Sequence, residues 1–163
     1  MTFLNGAAVA SESKEACEAA IEILNKGGNA VDAAIAAMAA QGVTRPVSGG
    51  IGGDGFMHIY LKNERKSLII DHRCLTPKQF GPHAVIHPET GESYSPDIRT
   101  SSGMAVGVPG AIKAWEEALR LYGTMTFREV LEPAIKVAEE GFVANANFVR
   151  EVTENRERFN QFS

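Results

Sequence analysis

Apolar positions along this chain fall into runs spaced for helices and runs spaced for strands. Ala7 to Ala10 is a short apolar stretch that reads as a buried strand. Ser11-Glu12-Ser13 follows, offering hydroxyls to cap a helix and an acid suited to the positive end of its dipole. Cys17, Ile21 and Leu24 then recur at helical spacing with Ala16 and Ala20 beside them, and Lys26-Gly27-Gly28 is a stop signal. Asn29 is placed to cap a second helix from Ala30 to about Gln41, nearly all alanine apart from Val31, Ile35 and Met38. Small side chains on every face let neighbouring backbone approach closely, so this helix is expected to be buried.

Phe56 to Leu61 and Ser67 to Arg73 alternate or run apolar, and Lys62 to Lys66 separates them, which predicts a β-hairpin. After Pro77 the pattern weakens, and residues 81–103, rich in Pro, Gly, Ser and His, form a long loop. A short strand, Ala105 to Val108, is expected before Pro109-Gly110 opens a helix to about Leu121 with Ile112, Trp115, Ala118 and Leu119 inward and Gly123 as its stop. Thr126-Phe127-Arg128-Glu129 is a capping box for a further helix ending at Gly141, which Pro133 should kink or divide. Asn147 to Ser163 is polar and is expected to fray. Helices and strands mix, so the fold class is α/β (α+β), with alanine-rich helices and one hairpin.

Composition changes this picture little. The 163 residues suffice for one core and one domain, and 44% hydrophobic with 22% charged residues is ordinary for a globular chain. A net charge of −4, with acids and bases interspersed, points away from nucleic acid and from an anionic membrane as partners. No apolar run reaches the roughly 20 residues a bilayer requires. Met1 to Ala10 lacks a basic region followed by an apolar core, so no signal peptide is legible, and Cys17 and Cys74 are too few for a disulfide framework. A cytoplasmic location is the expectation.

Chemistry concentrates between the alanine-rich helix and the hairpin. Five glycines occupy seven positions in Gly49-Gly50-Ile51-Gly52-Gly53-Asp54-Gly55. Gly50, Gly52 and Gly55 have the spacing of a dinucleotide loop, but that loop follows a strand and opens a helix, because the helix N-terminus holds the pyrophosphate. Here the helix precedes and the strand follows, and no Gly-Lys-Ser/Thr ending cradles a phosphate. The glycines are instead expected to let backbone run against backbone. Ser48 lacks a nucleophile elbow and a legible Asp/His partner, so its hydroxyl should bond loop backbone. Asp54 can accept several N–H bonds in such a loop or face a site.

Arg73 is the leading functional candidate, since its planar fork grips a carboxylate with two parallel charged hydrogen bonds. The plainer alternative pairs it with Asp71, two residues back on the same strand face. His72 and Cys74 share the opposite face, which raises a thiol–imidazole nucleophile against an ordinary structural cysteine. His83-x-x-x-His87 has ligand spacing for a helix but lies in a Pro- and Gly-bounded loop, so no metal is expected. Cys17 reads as a small core residue.

Several motifs in order resemble the large subunit of the γ-glutamyltranspeptidase family. They are Gly27-Gly28-Asn29-Ala30-Val31-Asp32-Ala33-Ala34, then Pro46-x-Ser48-x-Gly50-Ile51-Gly52-Gly53-x-Gly55-Phe56, Asp71-x-Arg73-x-x-x-Pro77 and Ala105-Val106-Gly107-Val108-Pro109-Gly110. Tyr122-Gly123, Leu131-x-Pro133-Ala134-Ile135 and Glu140-Gly141-Phe142 agree in order and spacing, so the resemblance runs from about Gly6 to Val143. It implies part of an N-terminal-nucleophile hydrolase, an αββα sandwich whose precursor cuts itself to expose a threonine. That threonine attacks a γ-glutamyl amide and forms an acyl-enzyme that water or an amino acid resolves.

By the resemblance Arg73 matches the arginine that holds the substrate α-carboxylate, with Ser48, Gly50, Gly52, Gly53, Asp54 and Gly55 in a structural loop near the site. No catalytic residue and no metal or other cofactor is implied within this chain. The implied partners are a small γ-glutamyl substrate and the remainder of the enzyme, so residues 1–163 are expected to form a single, incomplete domain, inactive alone. Cys74 stands where the family usually has Glu, Val47-Ser48-Gly49 where it has His-Ser-Ser, and Asp54 where it has another glycine. These departures admit a related acylase, or a non-catalytic remnant that binds amino-acid carboxylates.

Overall fold

The computed structural model describes residues 2–4 and 6–162. Strands β1 (Thr2–Leu4) and β2 (Ala7–Val9) form a small antiparallel hairpin, followed by helices α1 (Lys14–Asn25) and α2 (Ala30–Thr44). Strands β3 (Phe56–Leu61) and β4 (Lys66–Asp71) form the second hairpin, with Phe56 opposite Asp71 and Leu61 opposite Lys66. Helices α3 (Pro96–Ser101), α4 (Ala111–Tyr122), α5 (Phe127–Glu140), α6 (Ala146–Glu154) and α7 (Arg156–Phe162) complete the described chain. Among the described residues no helix is long and apolar enough to cross a membrane.

Helix α2 is the centre of the packing, lying against α1, α4 and α5. Alanine has the highest helix propensity and leaves little side chain to separate two axes, so α2 buries Ala33, Ile35, Ala36, Ala39 and Ala40. On α1 the buried face is Ala16, Ala19, Ala20 and Ile23, whereas Cys17, Ile21 and Leu24 are half-buried. The expected face was therefore turned by one position, because close contact with α2 selects the small residues rather than the large ones. Met57 and Ile59 carry the inner face of the β3–β4 hairpin into the same core, while Phe56, Tyr60 and Ile69 are exposed on its outer face.

Buried polar groups fix how the helices join. Ser13 caps α1 by accepting from the Ala16 N–H at 3.1 Å and also accepts from the Thr44 hydroxyl at 3.0 Å, pinning the start of α1 to the end of α2. Asp32 has no solvent exposure. Its carboxylate closes the Asn29 capping box, accepting from the Asn29 N–H at 2.8 Å. It also accepts from the Thr124 N–H at 3.0 Å, the Thr124 hydroxyl at 2.7 Å and the Met125 N–H at 3.3 Å. One side chain thus starts α2 and shapes the turn between α4 and α5.

Several expectations are corrected. Ala7–Val9 is a strand, but Ala8 is exposed and its neighbours are half-buried, since it pairs with β1 at the margin. Helix α2 continues to Thr44, past Gln41. Strand β4 ends at Asp71, leaving Arg73 beyond it. Ala105 to Val108 is not a strand: Ala105 closes a 3₁₀ turn (Gly103–Ala105), and Val108 makes one isolated antiparallel bridge with Leu75. Ile112 is exposed, although Trp115, Ala118 and Leu119 are buried. Pro133 does not divide α5, which runs unbroken around it with the ring buried. The stretch after Asn147 is helical rather than frayed, opened by Asn145 accepting from the Phe148 N–H at 3.0 Å. The 81–103 segment is largely loop, as read, but holds the short α3.

Asp32→Asn would set an amide NH₂ against N–H donors inside a dry site. The variant is expected to lose about 2–4 kcal/mol of stability in urea unfolding. A loss below about 1 kcal/mol would show that the carboxylate is not the anchor described here.

Candidate functional site

The glycine loop connects α2 to β3 and is stitched down by main-chain bonds. Gly53 N–H donates to the Gly50 carbonyl at 3.0 Å, and the Ala111 N–H, at the start of α4, donates to the Gly53 carbonyl at 3.3 Å. A Cβ on Gly42 would lie 2.9 Å from Gly50 Cα, so α2 and the loop meet backbone to backbone. Gly110 likewise has no room for a side chain against the His72 carbonyl. The expectation that the loop glycines serve close approach is met at Gly50, against Gly42 of α2, and at Gly53, against the Gly50 carbonyl.

The hairpin register runs on past its last ladder pair. Phe56 faces Asp71, and the His72 N–H donates to the Gly55 carbonyl at 3.0 Å, so the next step sets Asp54 opposite Arg73. Asp54 Oδ1 accepts from Arg73 Nη1 at 2.9 Å, and Asp54 Oδ2 accepts from the Cys74 N–H at 3.1 Å. Asp71 takes the Arg73 main-chain N–H at 3.0 Å instead of its guanidinium. Among the described residues the other guanidinium N–H groups meet no protein acceptor. The Arg73 side chain is 60% exposed and that of Asp54 24%, so the pair contributes little to stability but fixes the direction of the cation.

The local field follows from these contacts. The Cys74 N–H bond holds the Asp54 carboxyl below its ordinary value, and the Arg73 charge acts the same way. Desolvation and the Asp54 charge push the Cys74 thiol up. That is the reverse of the depressed titration that marks an activated thiolate.

Two hollows meet at Asp54. The larger, about 660 Å³, is bordered by the loop from Pro46 to Asp54 together with His72, Ala111 and Trp115. The smaller, about 380 Å³, is bordered by Asp54, Cys74, Pro77, Phe80 and the Met104–Gly107 segment. Gly50, Gly52, Gly53, Asp54 and Ser48 therefore line one wall, and Gly55 sits beside His72. The Ser48 hydroxyl accepts from Arg45 Nη2 at 3.0 Å rather than from loop backbone. Arg45 also donates to Glu12 at 2.8 Å and Glu151 at 3.3 Å, a hub the sequence reading did not find. His83 and His87 stay in their loop, where His87 Nδ1 accepts from the Glu89 N–H at 3.3 Å. Among the described residues no three metal-ligating side chains converge.

The family model described as gamma-glutamyltranspeptidase matches residues 16–163. The chain belongs to the γ-glutamyltranspeptidase family. It is 37% identical over 153 residues to the "Glutathione hydrolase proenzyme" of Bacillus subtilis, covering 94% of this chain and 26% of that protein. It is 38% identical over 144 residues to the "Acylase ACY 1 proenzyme" of Pseudomonas sp. strain SE83, covering 86% of this chain and 26% of the relative. The crystal structure of Helicobacter pylori gamma-glutamyltranspeptidase superimposes with a TM-score of 0.91 at 32% identity, over 100% of this chain and 46% of that one. The mixed helix-and-strand fold is thus that of the matching portion of a γ-glutamyltranspeptidase. The chain spans about a quarter of the length of the curated relatives it matches.

Because the folded Asp54 carboxyl titrates below its ordinary value of about 3.9, the stabilisation it gives is complete above that pH and is lost as pH falls through the lower folded value. Carbon-detected NMR of the Asp54 carboxyl is expected to show that lowered midpoint, and Arg73→Ala to move it upward. Coincident midpoints in the two proteins would remove Arg73 from its partner.

Proposed function

We propose that this chain forms part of an N-terminal-nucleophile enzyme that cleaves γ-glutamyl amides of the glutathione type and passes the acyl group to water or an amine. Arg73 grips the α-carboxylate of the substrate, and a threonine outside these residues makes the attack. Family membership and the hydrolase relative supply the reaction class.

The observation that carries the role of Arg73 is its exposed guanidinium, tied through Nη1 to Asp54, which borders two hollows, with its other N–H groups meeting no acceptor among the described residues. A carboxylate takes two parallel N–H donors from a guanidinium, and a cation already steered by a neighbour loses less freedom on binding. Holding the head group fixes how far along the substrate the γ-amide lies, which is the positioning an attacking hydroxyl requires. The remaining partner is the rest of the enzyme, which carries the nucleophile and the donors that stabilise the tetrahedral oxyanion.

A second reading is amide hydrolysis on a different acyl group, favoured by the acylase relative at 38% identity. The two separate on substrate. The protein assembled with the threonine-bearing segment is expected to release p-nitroaniline from γ-glutamyl-p-nitroanilide, and Arg73→Ala to lower kcat/KM about 100-fold. An unchanged kcat/KM in the variant rejects the role of Arg73, and preference for an acyl amide lacking the amino group selects the acylase.

A further inference from the structure

We infer that Arg45 is a latch that holds helices α6–α7 against the body and couples their docking to the glycine loop. Arg45 caps the C-terminal end of α2, and the loop starts on it: the Ser48 and Gly49 N–H groups both donate to the Arg45 carbonyl at 3.1 Å. Its guanidinium then reaches three segments. It donates to Glu12 ahead of α1 at 2.8 Å, to the Ser48 hydroxyl at 3.0 Å and to Glu151 of α6 at 3.3 Å. Ser48 and Glu151 share one nitrogen, Nη2, so the loop and the helix are held by the same atom.

This arm docks through a charge. Over residues 141–161 no side chain is buried, and the half-buried ones are Phe142, Phe148, Glu151 and Asn155. Phe148, Glu151 and Asn155 recur at helical spacing, so one face is turned inward with an acid at its centre. Val149, Val152 and Phe159 are exposed instead. Among the described residues, Glu151 to Arg45 is the one side-chain hydrogen bond between 141–161 and the rest of the chain. The two side chains are 20% and 16% exposed, so solvent screens them less than a surface pair. Arg45 Nε, however, is buried without an acceptor among the described residues, and an unmet donor opposes what the ion pair contributes. The docked state is therefore held by a small margin and can open. Gly141, at a φ of 82°, and residues 142–145 form the joint.

Hydrogen exchange of the whole chain, read by mass spectrometry on segments 46–55 and 146–162, tests this. At low salt Glu151→Gln is expected to speed exchange about fivefold in 146–162 and about twofold in 46–55, with α1 and α2 unchanged. Coupling is reciprocal, so Ser48→Ala is expected to speed exchange in 146–162 as well. Ions compete with the pair, so wild type and Glu151→Gln are expected to converge at about 1 M NaCl. Glu12→Gln removes the more exposed acid on Arg45 and is expected to leave 146–162 as in wild type. If Glu151→Gln leaves either segment protected as in wild type, the inference falls. It falls equally if α1 and α2 loosen together with the arm, or if Glu12→Gln frees 146–162 as much as Glu151→Gln does, since the pair would then be an ordinary support of the fold.

Discussion

The carboxylate of Asp54 ties the glycine loop to the chain just beyond β4. It sits at the end of the glycine loop, receives the side chain of Arg73 and receives the main-chain N–H of Cys74. The loop beneath it is held against α2 and α4 by contacts between backbones, where no side chain can intrude. A charged pair near the surface is worth little by itself. Its value here is directional, because a rigid loop on one side and the end of a hairpin on the other leave the guanidinium few places to go.

Deeper in the molecule, Asp32 plays the structural counterpart of that role. Both residues are acids surrounded by N–H donors, yet only one is open to ligand. Asp32 is sealed by Asn29, Thr124 and Met125, so its acceptor capacity is consumed in holding helices together. Asp54 keeps lone pairs free and borders two hollows. The contrast separates a carboxylate whose acceptors are consumed in the fold from one that keeps acceptors at the surface.

Much of the fold was legible in the sequence because its signals are local. Asn29, Thr126 and Ser13 cap the helices they were expected to cap, and the hairpin falls between its two apolar runs. The errors arise where tertiary contact outweighs local pattern. Close packing on α2 turned α1 toward its alanines, and Val108 makes only an isolated bridge with Leu75. Pro133 is tolerated because its missing donor costs one bond inside a helix that buries the ring. Of the candidate site, Arg73 and the glycines could be named from sequence, but the acid weighed as the alternative partner of its guanidinium was Asp71, not Asp54. Continuing the antiparallel pairing two steps beyond Phe56 would have found Asp54. Arg45 gave no signal, since Glu12, Ser48 and Glu151 come together only in three dimensions.

That same pairing gives the turn at Lys62–Arg65 an influence on a place it never touches. Partners across the hairpin are counted outward from this turn, where Arg65 adopts a left-handed φ of 51°. Adding or removing one residue there would slide one strand past the other and invert which side chains face each sheet surface. His72 or Cys74 would then arrive opposite Asp54 in place of Arg73. The length of a solvent-facing bend is thus a ruler for the charge pair at the far end, and the chemistry tolerates change in its composition but not in its count.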